Sequence, residues 1–120
     1  MIIFWFTGRK NYTLAATWQD GSGVDKDKTL TGCVVGQPVI VLHAWKNADT
    51  TIETGHFVFF KVTGATNVSA KQWIRMGFIR DSGNNSFEQL CLVLMPSTTS
   101  MTFHFGMEYD SDDIIRIYKT

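Results

Sequence analysis

Charge is scarce in this sequence. Only 18% of its 120 residues are Asp, Glu, Lys or Arg, and eleven basic side chains balance eleven acidic ones. No basic stripe or long run of like charge occurs. A reader of the phosphate backbone is thereby disfavoured, because that affinity comes from clustered Lys and Arg. Cysteine is nearly absent. Cys33 and Cys91 each sit in an apolar run, "GCVV" and "LCLVLM", and two isolated cysteines make no disulfide framework. We read both as buried thiols, with pairing as the alternative if adjacent strands bring them together. Helical periodicity is missing from every segment of ten or more residues, which removes the crossovers a parallel sheet needs. Apolar runs are short: "MIIFWF", residues 1–6, lacks a basic leader and falls far below bilayer-spanning length. It reads as an opening strand or as the cut edge of a longer chain.

The motifs of familiar chemistry are lacking as well. No GxGxxG or Walker lysine pattern occurs, and "DSGNNS" has no strand–turn–helix context for a nucleophile elbow. His43, His56 and His104 occur singly, without HxH or HExxH spacing. They read as semi-buried imidazoles of a sheet, although His43 and His56 lie in consecutive expected strands that one pairing would oppose. No cofactor and no metal is expected.

What the sequence does have is apolar bulk in alternation: nine Phe, four Trp, and a surface rich in Thr, Ser and Asn. Expected strands are 2–6, 11–18, "LTGCVV", 39–45, 56–62, 72–79, 87–95, "MTFHFGMEY" and "IIRIYK", separated by polar turn clusters. Pro38 suits the first position of its strand because it cannot donate to a ladder. About eight or nine strands at this spacing predict an all-β fold, an antiparallel, jelly-roll-like β-sandwich. A chain of 120 residues forms it as one domain, 1–120. Asn11, Asn67 and Asn84 head N-x-S/T triplets that such a surface produces by coincidence.

The densest candidate for chemistry is the terminal stretch "TFHFGMEYDSDDIIRIYKT", with Glu108, Asp110, Asp112 and Asp113 close together. It lacks the spacing, bend glycine and terminal glutamate of a helical calcium loop. We read it as a hairpin whose turn is "DSDD". A small carbohydrate-active hydrolase using Glu108 with Asp110 or Asp113 is the enzymatic alternative. Two carboxylates two residues apart on a strand edge do not establish the cleft it requires.

Tryptophans offer a second lead. Trp5 and Trp73 read as core, whereas Trp18 and Trp45 stand at strand ends beside "QDGSG" and "KNADT". An exposed indole there would stack on a sugar, with Asp20, Asn47 and Asp49 taking its hydroxyls. A partner hot spot or an ordinary capping tryptophan fits the same pattern. The candidate ligand-binding residues are Trp18, Asp20, Trp45, Asn47 and Asp49.

The low-charge, hydroxyl-rich, aromatic-heavy texture, carried most by "FHFGMEYDSDDIIRIYKT", resembles the small C-terminal receptor-binding β-domains of phage and prophage tail fibres. About a third of the chain contributes, and no motif in it is diagnostic. The resemblance implies a homo-oligomer, a trimer, that recognises a cell-surface glycan or protein in a virion or extracellular setting. It implies no cofactor, and no residue role is transferred by it. The expectation is therefore a non-enzymatic binding module, with no nucleic-acid partner and no membrane insertion. A generic protein-interaction β-domain is the remaining alternative.

Overall fold

The computed structural model describes residues 11–19, 26–45, 55–81, 86–89, 91–109 and 113–120. Nine strands run through them: β1 (Thr13–Trp18), β2 (Asp27–Thr31), β3 (Val39–Trp45), β4 (Gly55–Thr63), β5 (Ile74–Asp81), β6 (Ser86–Gln89), β7 (Cys91–Leu94), β8 (Ser100–Phe105) and β9 (Asp113–Lys119). All their pairings are antiparallel, in a four-stranded sheet ordered β1-β9-β3-β7 and a five-stranded sheet ordered β2-β8-β4-β5-β6. No helix occurs among the described residues. The all-β sandwich expected from alternation is the fold.

The chain pairs with itself from the outside inward. β1 joins β9, β2 joins β8, β3 joins β7, and β4 joins β5. This is one long antiparallel ribbon, rolled so that successive pairs fall in alternate sheets. Rolling adds the contacts of β3 with β9 and of β4 with β8, which close each sheet. That nesting is the jelly roll. β6 extends the five-stranded sheet beside β5.

Every second residue of the central strands faces the core. Val39, Val41, Leu94, Ile115 and Ile117 from one sheet meet Val58, Phe60, Val62, Met76, Met101, Phe103 and Phe105 from the other. The aromatic centre is dense, with ring centroids 5.3 Å apart for Phe60 and Phe105, and 4.3 Å for Phe105 and Tyr109. Gly64, at φ 89°, turns the chain out of β4. A Cβ there would lie 2.6 Å from the Ser100 carbonyl oxygen, so only glycine fits.

Three sequence expectations need correction. The terminal hairpin does not form: β8 pairs with β2 and β4, while β9 pairs with β1 and β3 in the opposite sheet. Alternation predicts a strand's two faces but not its sheet, and the turn residues at 106–109 begin a crossing rather than a hairpin. The single strand expected over 87–95 is two, β6 and β7, placed in different sheets. Of "LTGCVV", only Leu30 and Thr31 are strand, and β2 begins earlier, at Asp27. The expected strand over 2–6 lies outside the described residues.

Candidate functional site

The outer face of the five-stranded sheet is where unlike side chains converge. Registers order it into rows. Phe59 lies opposite Arg75; Asp27, His104 and Lys61 line up across β2, β8 and β4; and Thr29, Thr102 and Thr63 form the next row. Thr29 and Thr102 hydroxyls lie 3.2 Å apart. Trp73, just before β5, reaches over this face: the Lys61 Nζ sits 4.6 Å from its ring centroid, and the His104 ring lies 6.2 Å away. One residue period further, the Arg75 guanidinium stacks 4.1 Å above Phe57.

At the end of β8 the face deepens into a groove of about 630 Å³, lined by Lys26, Phe59, Trp73, His104, Phe105, Gly106, Met107 and Glu108. Its backbone explains it. Phe105 N–H donates to the Lys26 carbonyl at 2.6 Å, and Gly106 N–H donates to the Phe59 carbonyl at 2.7 Å. The chain is thus held level between β2 and β4 as the strand ends. Tyr109 N–H then donates to the Gly106 carbonyl at 3.2 Å, closing a turn. That turn tucks Tyr109 into the core and throws Met107, 93% exposed, and Glu108 outward.

Gly106 is the floor. A Cβ on it would come within 2.9 Å of Glu108 Oε2 and 3.5 Å of the Trp73 ring. Glu108 and Trp73 therefore approach one another over a residue without a side chain. Lys26 is anchored from below, its ammonium donating to the Tyr109 carbonyl and lying 5.6 Å from that ring's centroid. His104 Nδ1 donates to the Asp27 carboxylate, which leaves Nε2 as the ring nitrogen turned from that partner. The result is an apolar surface of two aromatic rings, edged by an imidazole, an ammonium and a carboxylate. Such a surface suits a ligand with one flat apolar face and a rim of hydroxyls.

The sequence-derived candidates fall elsewhere. Trp18 faces inward, half-buried, with its ring edge-on to Phe103 at 5.1 Å and to Phe105 at 6.4 Å. That is the packing of the capping alternative. Trp45 ends β3 opposite Asp113, and its side chain lies outside those described. Asp20, Asn47 and Asp49 also lie outside the described residues.

The hydrolase alternative divides in the same way. Glu108 edges the groove, whereas Asp113 is fully buried in the sandwich and accepts from His43 Nε2 at 2.7 Å. Asp113 is thus enclosed in protein, and Asp110 lies outside the described residues. Glu108 is the one carboxylate among the described residues lining the groove. His43 and His104 do not converge either: His43 is inside the sandwich and His104 is exposed on one sheet's outer face, and the His56 side chain lies outside those described. β3 and β4, which carry His43 and His56, belong to different sheets. No cluster of three or more metal-ligating side chains occurs among the described residues.

Trp73, read from sequence as core, is 47% exposed and lines the groove. Its neighbours in "AKQWIR" held the signal: a tryptophan just after a polar turn, on the strand face shared with Arg75 rather than with Ile74 and Met76.

No protein-family model matches the chain, and no curated protein or solved structure matches it either.

Proposed function

We propose that this domain is a non-enzymatic glycan-binding module. The observation that carries the reading is the groove in which Trp73 and Phe59 flank Gly106 beneath the polar groups of His104, Lys26 and Glu108. A pyranose ring stacks its C–H face on an indole while its hydroxyls seek donors and acceptors at the rim. A carboxylate such as Glu108 accepts from two hydroxyls, and an ammonium or imidazole meets the remaining lone pairs. Lys61 covers part of Trp73 on the sheet and holds the ring in place, so little side-chain entropy is lost on binding.

Jelly rolls host lectin domains among other functions, and fold alone does not choose between them. The resemblance to tail-fibre tips gives the module a setting, recognition of a cell surface by a virion-borne oligomer. Half-buried Leu42, Val93, Ile114 and Tyr118, on the outer face of the four-stranded sheet, support self-association there.

A glycan array read with the native protein and with Trp73→Ala, Trp18→Ala and Trp45→Ala tests the site. Removing Trp73 should weaken binding by about 2 kcal/mol or more, near thirtyfold in Kd, as for an aromatic anchor. Binding that survives Trp73→Ala but fails with Trp18→Ala or Trp45→Ala would move the ligand to the loop ends and overturn the groove. Light scattering reports the assembly, and a monomer at micromolar concentration would remove the tail-fibre setting.

A further inference from the structure

The groove offers more apolar surface than polar partners. Phe59, Trp73, Phe105, Gly106 and Met107 line it, against three polar side chains. Its floor is already engaged: the Phe105 and Gly106 N–H groups donate to the Lys26 and Phe59 carbonyls, and the Gly106 carbonyl accepts from Tyr109. Lys26 also donates to the Tyr109 carbonyl, and His104 Nδ1 donates to Asp27. A ligand is left with Glu108, the far nitrogen of His104 and the remaining Lys26 donors. Met107 stands beside this surface, 93% exposed, the most exposed large apolar side chain among the described residues. One such side chain alone is ordinary, but one that continues an exposed aromatic surface marks a place of contact. Trp73 and Met107 are within reach of one small ligand. A Cβ on Gly106 would lie 3.5 Å from the indole, and Met107 is the next residue, which puts its Cα within about 9 Å of that ring. The flexible thioether chain covers part of that span.

We infer that the groove takes a 6-deoxy sugar, one whose ring lies on Trp73 and whose C6 methyl group meets Met107. This deepens the glycan-binding reading and rests on it. The parent hexose would press a C6 hydroxyl against the same thioether, which is only a weak acceptor. A hydroxyl enclosed without a partner loses about ten- to hundredfold in affinity. A methyl group there has no such need and gains about fourfold from its burial. The hydroxyls on the rest of the ring match the polar groups that remain. Glu108 accepts from two of them, and His104 or Lys26 meets a third.

Isothermal titration of L-fucose against L-galactose, and of L-rhamnose against L-mannose, tests the inference, because the members of each pair differ only in the C6 hydroxyl. The deoxy member of at least one pair should bind about tenfold more tightly or better. Met107→Gln keeps the length of the side chain but ends it in an amide, and should cut that preference by about fourfold or more. Met107→Leu restores an apolar contact and should keep the preference within about twofold of native. Circular dichroism confirms that these exposed substitutions leave the sandwich folded.

Deoxy and parent members binding equally, both lost with Trp73→Ala, would overturn the inference and leave the glycan reading standing. So would a deoxy preference that Met107→Gln leaves unchanged, or glycans bound on the array while none of these four sugars binds. Benzyl alcohol binding more tightly than every saccharide, and lost with Trp73→Ala, would make the groove a general apolar site and overturn both. If no saccharide binds in titration or on the array, the inference and the glycan reading fall together.

Discussion

Asp113→Leu should cost this domain a large part of its stability, although the side chain touches no ligand surface. Asp113 and His43 are both fully buried, with Nε2 and Oδ1 2.7 Å apart, and the other buried side chains among the described residues are apolar. In such a place the attraction is strong and so is the desolvation of each partner. Breaking their contact in so apolar a place costs about 3–5 kcal/mol. A domain of 120 residues has roughly 6–18 kcal/mol in total. Its unfolding entropy, about 0.25 kcal/mol/K, turns that loss into a fall in Tm of about 12–20 °C. Urea and thermal melts of Asp113→Leu, His43→Leu and the double variant His43→Leu/Asp113→Leu measure the effect. The double variant should be less damaged than the sum of the singles, with a coupling of at least about 1 kcal/mol, because apolar replacement of both partners removes the desolvation penalty too. A single variant that loses under about 1 kcal/mol, or singles that simply add, would refute the claim that this pair is the polar keystone of the sandwich interior.

Two further outcomes follow from particular residues. Gly64→Ala should destabilise by about 1–3 kcal/mol, seen as an earlier urea midpoint with unchanged slope, since φ 89° and the Ser100 carbonyl both exclude a methyl group. Gly36→Ala is the control, at a positive φ of 82° with no atom near the added Cβ, and should cost less. Cys91, expected buried from its apolar run, is exposed at the start of β7, so the two thiols should separate by reactivity: Cys91 reacts with Ellman's reagent in the native protein, and buried Cys33 only after unfolding. Burial pushes the Cys33 thiol up from its ordinary value, opposed by the charge of Lys119. The thiol thus stays neutral in the fold while the unfolded thiol ionises near pH 8.5. Its contribution to stability is full below that pH and is lost as pH rises toward the folded value, a slope that Cys33→Ala should remove.

Faces were legible in the sequence where strands are regular, and partners were not. The period of two placed Phe103 with Phe105, and Ile115 with Ile117, on buried faces, and set Thr102 and His104 opposite. That inference needs only the pleat. It failed at pairing because a rolled ribbon joins residues far apart in the chain: Thr13 meets Lys119, and Asp27 meets His104. Short polar turns look the same whether the chain returns beside itself or crosses to the facing sheet. Alternation also overran the strand end, putting Met107 with Phe105 and Tyr109, whereas the turn at Gly106 leaves Met107 exposed and Tyr109 buried.

The groove was illegible for a related reason. Its walls come from Lys26, Phe59, Trp73 and the 104–108 segment, which meet only because β8 lies between β2 and β4. Glu108 drew notice in sequence for its acidic neighbours, yet its relevant neighbours in space are Gly106 and Trp73. The acidic density itself splits, Glu108 going to the surface and Asp113 to the interior. One end of the crossover therefore edges the groove while the other locks the core through His43. Damage at Asp113 should loosen the segment that carries Glu108 as well as lower stability. At temperatures where Asp113→Leu is still folded, its saccharide affinity should be weaker than native, while Gly64→Ala, with no part in this crossover, should retain native affinity. Equal affinities in the two variants would separate the groove from the buried pair.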